Sequence, residues 1–400
     1  GYEATFYGVI PTPALAYTAM QDSIPCIMVT GSHIPFDRNG LKFYYPDGEI
    51  SKSDEQAIIN AQEEFQIVPL PCLQVSSRAA EQYVRRYTDI FSCELLTGMR
   101  IGIYEHSSAG RDLYKIILES LGATAISLER SNEFIPIDTE AVSIIDREKA
   151  RRWSMEHQLD LIISTDGDGD RPLVADEHGE WLRGDILGLL AAKALNIEAL
   201  AIPVSCNSAI DSSESFNKVL RTKIGSPYVI SGLAELNLHY STFAGFEANG
   251  GFLLGSDIEI EGKILKALPT RDAVLPILAL FLLSKDRKVS KLVERLSLRF
   301  TDSDRIQDFP TEQSEKILTA ASGQETRLLN LLGFNDVFCL KVDVTDGLRL
   351  LLNNGDIIHL RPSGNAPELR CYAESSSVES AGEVVKKVLE NIININIDIL

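Results

Sequence analysis

The stretch Asp166-Gly167-Asp168-Gly169-Asp170-Arg171 constrains this chain more than any other. It follows the apolar run Leu159-Asp160-Leu161-Ile162-Ile163-Ser164, which reads as a buried strand. Three carboxylates at alternate positions repel one another, so each holds its proton or seeks a cation. A hard divalent ion relieves that repulsion, and an all-oxygen donor set favours Mg²⁺ or Ca²⁺ over zinc. The glycines let the backbone turn tightly enough for the three side chains to converge. Arg171, directly after the acids, points to an anion such as a phosphate beside the ion. Two other readings compete. A solvated acidic loop is disfavoured by the strand in front and by the glycine spacing. An EF-hand would use Asp166, Asp168, Asp170 and Glu177, but Arg171 stands where that motif needs glycine, and a strand leads in where it needs a helix. The best reading is an Mg²⁺ site at the end of an α/β strand.

At 400 residues the chain exceeds one ordinary core, and length alone suggests about two to four domains. A formal charge of -19 argues against non-specific binding to nucleic acid or anionic membranes. An anionic substrate must therefore be drawn in by a local cluster of cations. The six cysteines are scattered, with no C-x-x-C pair, as in a cytoplasmic protein with reduced thiols. The longest apolar run, Ala273 to Leu283, is too short to span a bilayer, and no signal peptide is read. The chain starts at Gly1 and not at Met, so the true N-terminus is expected to be missing.

Strand-like and helix-like segments alternate, the pattern of α/β architecture. Strands are expected at 25–30, 99–104, 200–204, 337–344 and 356–360. Helices are expected from Arg111 through Leu121, closed by Gly122, over 273–283, and over 378–391. The polar, proline-containing stretch 301–310 reads as a linker, and seams fall near Gly98, Asn196 and Phe300. A weak strand-turn-helix similarity links the units starting at Met99 and Leu200. The Ser107–Arg111 turn could cradle a phosphate but reads better as a helix cap.

Three further loops could carry chemistry. In Thr30-Gly31-Ser32-His33-Ile34-Pro35, Ser32 sits on a tight turn after a strand, and the proline keeps that turn from becoming helix. The glycine pattern is not that of a hydrolase nucleophile elbow. A serine that stores a phosphoryl group against the Asp-bound cation suits it, with Lys42 in reach as phosphate partner or proton carrier and His33 orienting the loop. In Gly245-Phe246-Glu247-Ala248-Asn249-Gly250-Gly251, Glu247 and Asn249 alternate, so in an extended loop both point one way, a common grip for vicinal hydroxyls. In Arg361-Pro362-Ser363-Gly364-Asn365-Ala366-Pro367, followed by Glu368-Leu369-Arg370, a guanidinium, a hydroxyl, a backbone N–H and an amide make an oxyanion nest. Upstream, Arg221-Thr222-Lys223-Ile224-Gly225-Ser226 adds two cations of open role.

These four loops, in this order, resemble the α-D-phosphohexomutase superfamily, especially its bacterial phosphomannomutase/phosphoglucomutase branch, and the resemblance covers essentially the whole chain. The serine loop is similar to T-[AG]-S-H-N-P, the metal loop to D-G-D-x-D-R at every fixed position, the sugar loop loosely to G-E-x-S-G-H, and the phosphate loop to R-P-S-G-T-E-P. The resemblance implies four domains around a central cleft: three mixed-sheet α/β domains over 1–97, 98–196 and 197–300, and an α+β domain over 301–400. It implies a phosphomannomutase/phosphoglucomutase that interconverts hexose 1- and 6-phosphates through a phosphoserine at Ser32 and a bisphosphate intermediate. Mg²⁺ would lie on Ser32, Asp166, Asp168 and Asp170, with Ser32, His33, Lys42 and Arg171 catalytic. Glu247, Asn249, Lys223, Arg361, Ser363, Gly364, Asn365 and Arg370 would bind substrate. A hexose 1,6-bisphosphate activator, a cytoplasmic location and a monomer or homodimer are expected.

The departures are specific. Ile34 stands for the usual asparagine of the serine loop. Asn249 stands for the sugar-loop serine and Gly251 for its histidine, a proton carrier in relatives. Asn365 and Ala366 replace Thr and Glu of the phosphate loop. The opening T-S-G-[IVF]-R-G strand, with an arginine that relatives use beside the reacting phosphate, is not found, so the first domain is expected to be incomplete. Phosphoglucosamine mutase, towards which Arg221-Thr222-Lys223 leans, and a sugar-phosphate binder that has lost catalysis are the alternatives.

Overall fold

Among the described residues, alternation of apolar strands with amphipathic helices builds four sheets of three or more strands in successive stretches of the chain, with a separate two-stranded ribbon, Ile258–Ile260 and Lys263–Leu265. The computed structural model describes residues 3–32, 39–62, 72–283, 288–296, 299–363 and 367–395. They form two compact units. One comprises Gly1–Ile202, Glu214–Leu220 and Gly225–Arg295, and the other Pro203–Ser213, Arg221–Ile224 and Leu296–Leu400.

The first sheet pairs Cys26–Thr30, Gly40–Tyr45 and Gly48–Glu49 antiparallel. The second has the order Thr124–Arg130, Arg100–His106, Leu161–Thr165, Pro172–Ala175; its first three strands are parallel and its last antiparallel. Leu161–Thr165 is buried at every position, which is why it reads as a continuous apolar run rather than an alternating one. Gly122, at φ 96°, ends the helix Arg111–Ser120 in the left-handed conformation glycine adopts without strain. The third sheet runs Leu268–Asp272, Phe252–Leu254, Phe243–Phe246, Ala199–Pro203, Lys218–Thr222. Like the second, it mixes parallel and antiparallel pairs around a buried central strand.

The first unit carries a buried carboxylate away from the metal loop. Asp272, 1% exposed, accepts hydrogen bonds from the Tyr83 hydroxyl at 2.7 Å, from the Tyr87 hydroxyl and from the Val274 amide at 3.1 Å. Burial and then the Asp272 charge push both phenols well above their usual range, so both stay protonated as donors. The helix Arg78–Thr88 is thereby tied to the strand Leu268–Asp272. A buried charge without such donors would cost several kcal/mol.

The second unit is an antiparallel sheet ordered Phe300–Ile306, Leu369–Ser375, Ile357–Pro362, Leu348–Leu352, Cys339–Asp343. Its core holds Leu350, Leu360, Cys371, Val385 and Val388. Here the structure corrects the sequence reading. Residues 301–310 are expected to be a linker, yet Phe300–Ile306 is a strand paired along its whole length with Leu369–Ser375. It lies at the sheet edge and is largely exposed. Charges such as Asp302 and Asp304 protect an edge from further pairing and also erase the apolar alternation that would reveal it.

His359 is buried in this sheet, donates Nε2–H to the Asp346 carbonyl at 2.6 Å and stacks on Tyr372. Burial lowers its pKa to about 4. The folded state therefore binds fewer protons than the unfolded state between about pH 6.5 and pH 4, and its stability must fall as pH drops through that window. The urea midpoint of the wild type is expected to fall from pH 7.5 to pH 5, and to fall less in His359→Phe.

Candidate active site

The metal loop is built by its own backbone. Asp166 Oδ1 accepts from the amides of Asp170 and Arg171, both at 3.2 Å, and the Asp166 amide donates to the Arg171 carbonyl at 3.1 Å. Gly169 takes φ 71° to close the turn. Outside the loop, the Ala109 amide donates to the Gly167 carbonyl at 2.9 Å and the Thr12 amide to the Asp168 carbonyl at 2.8 Å. The Ser107–Arg111 turn therefore supports the metal loop. It does not cap its helix through a side chain, since the N-cap is Gly110; Ser108 Oγ receives the Gly110 amide at 3.3 Å and shares a hydrogen bond with Thr165 Oγ1 at 2.8 Å.

Ser32 stands at φ 52°, a left-handed conformation that is uncommon for a residue with a side chain. Its amide donates to Thr30 Oγ1 and its hydroxyl to Asp166 Oδ2 at 2.7 Å. Backbone strain at such a position persists only where the surroundings enforce it. Here Gly167 lies so close that a Cβ on it would fall 2.4 Å from the Ser32 carbonyl oxygen. The two loops fit because position 167 has no side chain.

Asp166, Asp168 and Asp170 are almost fully buried, and one carboxylate oxygen from each lies within 4.8 Å of the others. Lys42 Nζ reaches Asp168 Oδ2 at 2.6 Å and Asp170 Oδ2 at 2.7 Å, while Thr12 Oγ1 donates to Asp168 Oδ2. Arg171 Nε lies 3.8 Å from both Asp166 and Asp170, and Arg271 Nη2 lies 3.0 Å from Asp170. Burial and the charges of Asp170 and Asp168 push the Asp166 carboxyl up to about 7. Burial works the same way on Asp170, but Arg271, Lys42 and Arg171 outweigh it and hold that carboxyl well below the usual range. Burial pulls on the Lys42 ammonium too, and Asp170 and Asp168 more than compensate, so its pKa is raised. The donor set fits a hard cation. Asp168 Oδ1 and Asp170 Oδ1 are buried without a hydrogen-bond donor, and buried carboxylate oxygens need a donor or a cation.

The sugar-loop candidate is a tight turn and not the extended segment the alternation suggests. The Gly250 amide donates to the Glu247 carbonyl at 3.0 Å and the Gly251 amide to Asn249 Oδ1 at 3.0 Å. The Asn249 amide oxygen thus holds its own turn, and Glu247, 5% exposed, meets Arg271 Nη1 at 3.5 Å. Ser32, Lys42, Arg171, the three aspartates and Glu247 therefore belong to one connected network of the first unit, with Arg271 between Asp170 and Glu247.

In the second unit, Arg361, Arg370 and Arg305 stand directly opposite one another across three neighbouring strands. Like charges so placed repel. Arg361 Nε lies 2.7 Å from Asp346 Oδ2 as an ion pair, and Glu368 pairs with Arg370 at 3.3 Å and Arg305 at 3.5 Å. The Ser363 amide donates to the Glu368 carbonyl. Asp346 also accepts the Ile224 amide at 3.0 Å, which brings the residue after Lys223 to the Arg361 partner. Arg221 is tied to Asp211 and to the carbonyls of Pro203, Cys206 and Asn207, a structural role. His33, Gly364 and Asn365 lie outside the described residues.

Residues 1–66, 183–300 and 298–391 match the family models described as phosphoglucomutase/phosphomannomutase alpha/beta/alpha domain I, alpha/beta/alpha domain III and C-terminal domain. A phosphomannomutase from Salmonella muenchen is 58% identical over 392 residues, covering 98% of this chain and 82% of that protein. The chain belongs to the phosphoglucomutase/phosphomannomutase family. It is a phosphohexomutase, an isomerase of carbohydrate metabolism that interconverts hexose 1- and 6-phosphates. Its fold is similar to a phosphoglucomutase/phosphomannomutase family protein from Burkholderia thailandensis, with TM-score 0.71 at 19% identity over 96% of this chain and 80% of that one. It is also similar to an Aspergillus fumigatus N-acetylphosphoglucosamine mutase solved with GlcNAc-6P and magnesium, with TM-score 0.62 at 14% identity over 98% and 96%. Among the described residues no helix is long and apolar enough to cross a membrane.

Three residues of this family member escape sequence reasoning. Thr12 and Arg271 reach the metal loop from distant strands and helices, and Arg305 lies in the stretch that reads as a linker. An arginine beside an aspartate at the end of an apolar strand, as in Arg271-Asp272, is the one local signal. Two outcomes follow from the packing. A hard divalent cation, tested as Mg²⁺, is expected to raise the melting temperature of the wild type, by the equivalent of about 2.7 kcal/mol at a hundred times its dissociation constant, and to leave Asp168→Asn unmoved. Gly167→Ala is expected to displace Ser32 and, on the catalytic role proposed for Ser32 below, to lower kcat by about 10²-fold with the circular dichroism spectrum unchanged.

Proposed function

We propose that this phosphohexomutase works through a phosphoserine at Ser32 and acts on mannose phosphates, with glucose phosphates as a second substrate class. The observation that carries the mechanism is the hydrogen bond from Ser32 Oγ to Asp166 Oδ2, which sets a hydroxyl held in a strained turn against the carboxylate cluster. The mannose preference is supported by the 58% identical relative, a phosphomannomutase. The phosphoryl group on Ser32 passes to the free hydroxyl of a hexose monophosphate. The bond from phosphorus to Ser32 Oγ breaks as the bond to the sugar oxygen forms, and the hydroxyl proton ends on Ser32 Oγ. The bisphosphate then turns around, and its other phosphoryl group returns to Ser32 by the reverse exchange.

Asp166, Asp168 and Asp170 would hold the metal, and Mg²⁺ is the ion we propose, in keeping with the oxygen donors and with the magnesium in the Aspergillus neighbour. When bound, it supplies charge neutralisation for the phosphoryl oxygens. Lys42 and Arg171 balance the remaining charge and align the group being transferred. Glu247 accepts from sugar hydroxyls, with Asn249 shaping its turn. Arg361, Ser363, Arg370 and Lys223, with His33, Gly364 and Asn365, complete the assignment as substrate or loop-orienting residues. The segments 1–97, 98–196, 197–300 and 301–400 are the domains we propose, in a cytoplasmic enzyme primed by a hexose 1,6-bisphosphate.

The test is direct. Ser32→Ala is expected to lose at least ~10³-fold in kcat/KM. Intact-mass measurement of the wild type is expected to show a phosphorylated species that hexose monophosphate removes. Full activity in Ser32→Ala would sink the phosphoserine route. A coupled assay with mannose, glucose and glucosamine 1-phosphates ranks the substrates, and a clear preference for the amino sugar would overturn the mannose assignment.

A further inference from the structure

The sugar-loop turn and the metal loop are joined by one side chain. Arg271 is 8% exposed and sends Nη2 to Asp170 Oδ2 at 3.0 Å and Nη1 to Glu247 Oε2 at 3.5 Å. Its route to both carboxylates runs over Gly251. A Cβ built on Gly251 would lie 2.6 Å from Arg271 Cδ, 2.7 Å from Cγ and 3.2 Å from Cβ. These are atoms of the stem, not of a mobile tip, so any side chain at 251 would occupy the space through which the guanidinium reaches. Gly251 is not among the glycines with positive φ. Glycine is thus required at this position by the room Arg271 takes up and not by the backbone conformation.

We propose that Arg271 is a positioning residue for the mutase reaction, seated over Gly251 and holding the sugar-binding Glu247 in fixed relation to the metal-loop Asp170. A guanidinium suits this part because its rigid planar fork fixes the direction between the two carboxylates it engages, whereas an ammonium is a point charge on a flexible stem. With one Glu247 oxygen turned to Arg271, the other is presented in a single orientation to the hydroxyls of the hexose. With one Asp170 oxygen turned to Arg271, the other is left to the cation. Sugar affinity and metal affinity are then coupled through one side chain. The inference rests on the assignment of Glu247 as a hydroxyl acceptor.

The test is a double-mutant cycle between Arg271→Met and Gly251→Ala, read as KM for mannose 1-phosphate and, by calorimetry without substrate, as the Mg²⁺ dissociation constant. Each single variant is expected to raise KM about tenfold or more and to weaken Mg²⁺ binding. The double variant is expected to be no worse than Arg271→Met alone, because contacting residues that act as a unit are not additive. Arg271→Lys is expected to stay impaired in KM. Wild-type KM and Mg²⁺ affinity in Gly251→Ala, or effects of the two changes that multiply, would overturn the proposal. Gly251→Ala keeps Arg271 and the backbone, so it decides the matter even if Arg271→Met fails to fold. Glu247→Gln separates the two ideas. Full activity there removes the assignment on which the inference rests, whereas loss of activity together with multiplying effects in the cycle removes the inference alone.

Discussion

Everything in the first unit is arranged around three carboxylates that are buried within a few ångströms of one another. Left to themselves, Asp166, Asp168 and Asp170 could not all ionise in that space. The fold answers with opposite charge from three directions: Lys42 from the first sheet, Arg171 from the loop itself and Arg271 from the third sheet. The strain at Ser32, the missing side chain at Gly167 and the amides that close on Asp166 Oδ1 all hold this cluster in one conformation. Stability is spent here on a site that stays incompletely satisfied, since two carboxylate oxygens still lack a donor.

The second unit poses the converse problem. Arg305, Arg370 and Arg361 stand side by side on three strands, with Asp346 and Glu368 to balance them only in part. A row of opposed cations is as unfavourable as a cluster of acids until an anion arrives. On the proposed assignment of Arg361 and Arg370 to substrate, this row reconciles an acidic protein with acidic substrates. The overall charge of -19 is a property of the whole surface, whereas recognition of phosphate depends on cations that the fold gathers locally.

Much of this is legible in the sequence because the key loops are local. A buried strand followed by alternating Asp and Gly declares the metal site within twelve residues, and Ser32 and Arg361 each sit in short stretches with distinctive neighbours. What is not legible depends on distance. Arg271 reaches Asp170 from a strand of a different sheet, a long-range side-chain contact that no local pattern encodes. Arg305 is hidden because a charged edge strand looks like a linker. Asn249 misleads for the opposite reason: alternation with Glu247 suggests a shared direction, but the glycines after it fold the segment into a turn that consumes its side-chain oxygen.

The hydrogen bonds from Tyr83 and Tyr87 to Asp272 have a consequence for how this protein could be recombined with its relatives. The helix Arg78–Thr88 precedes the second sheet in the chain, yet its buried hydroxyls complete a carboxylate of the third. Modules cut at the seams of the sequence would separate donor from acceptor. A chimera that takes the third sheet from another family member must bring a helix from far upstream with it, or place two unpartnered phenols against a foreign strand. Heredity in this fold travels in spatial pairs, and the linear order of the chain conceals which pieces must be inherited together.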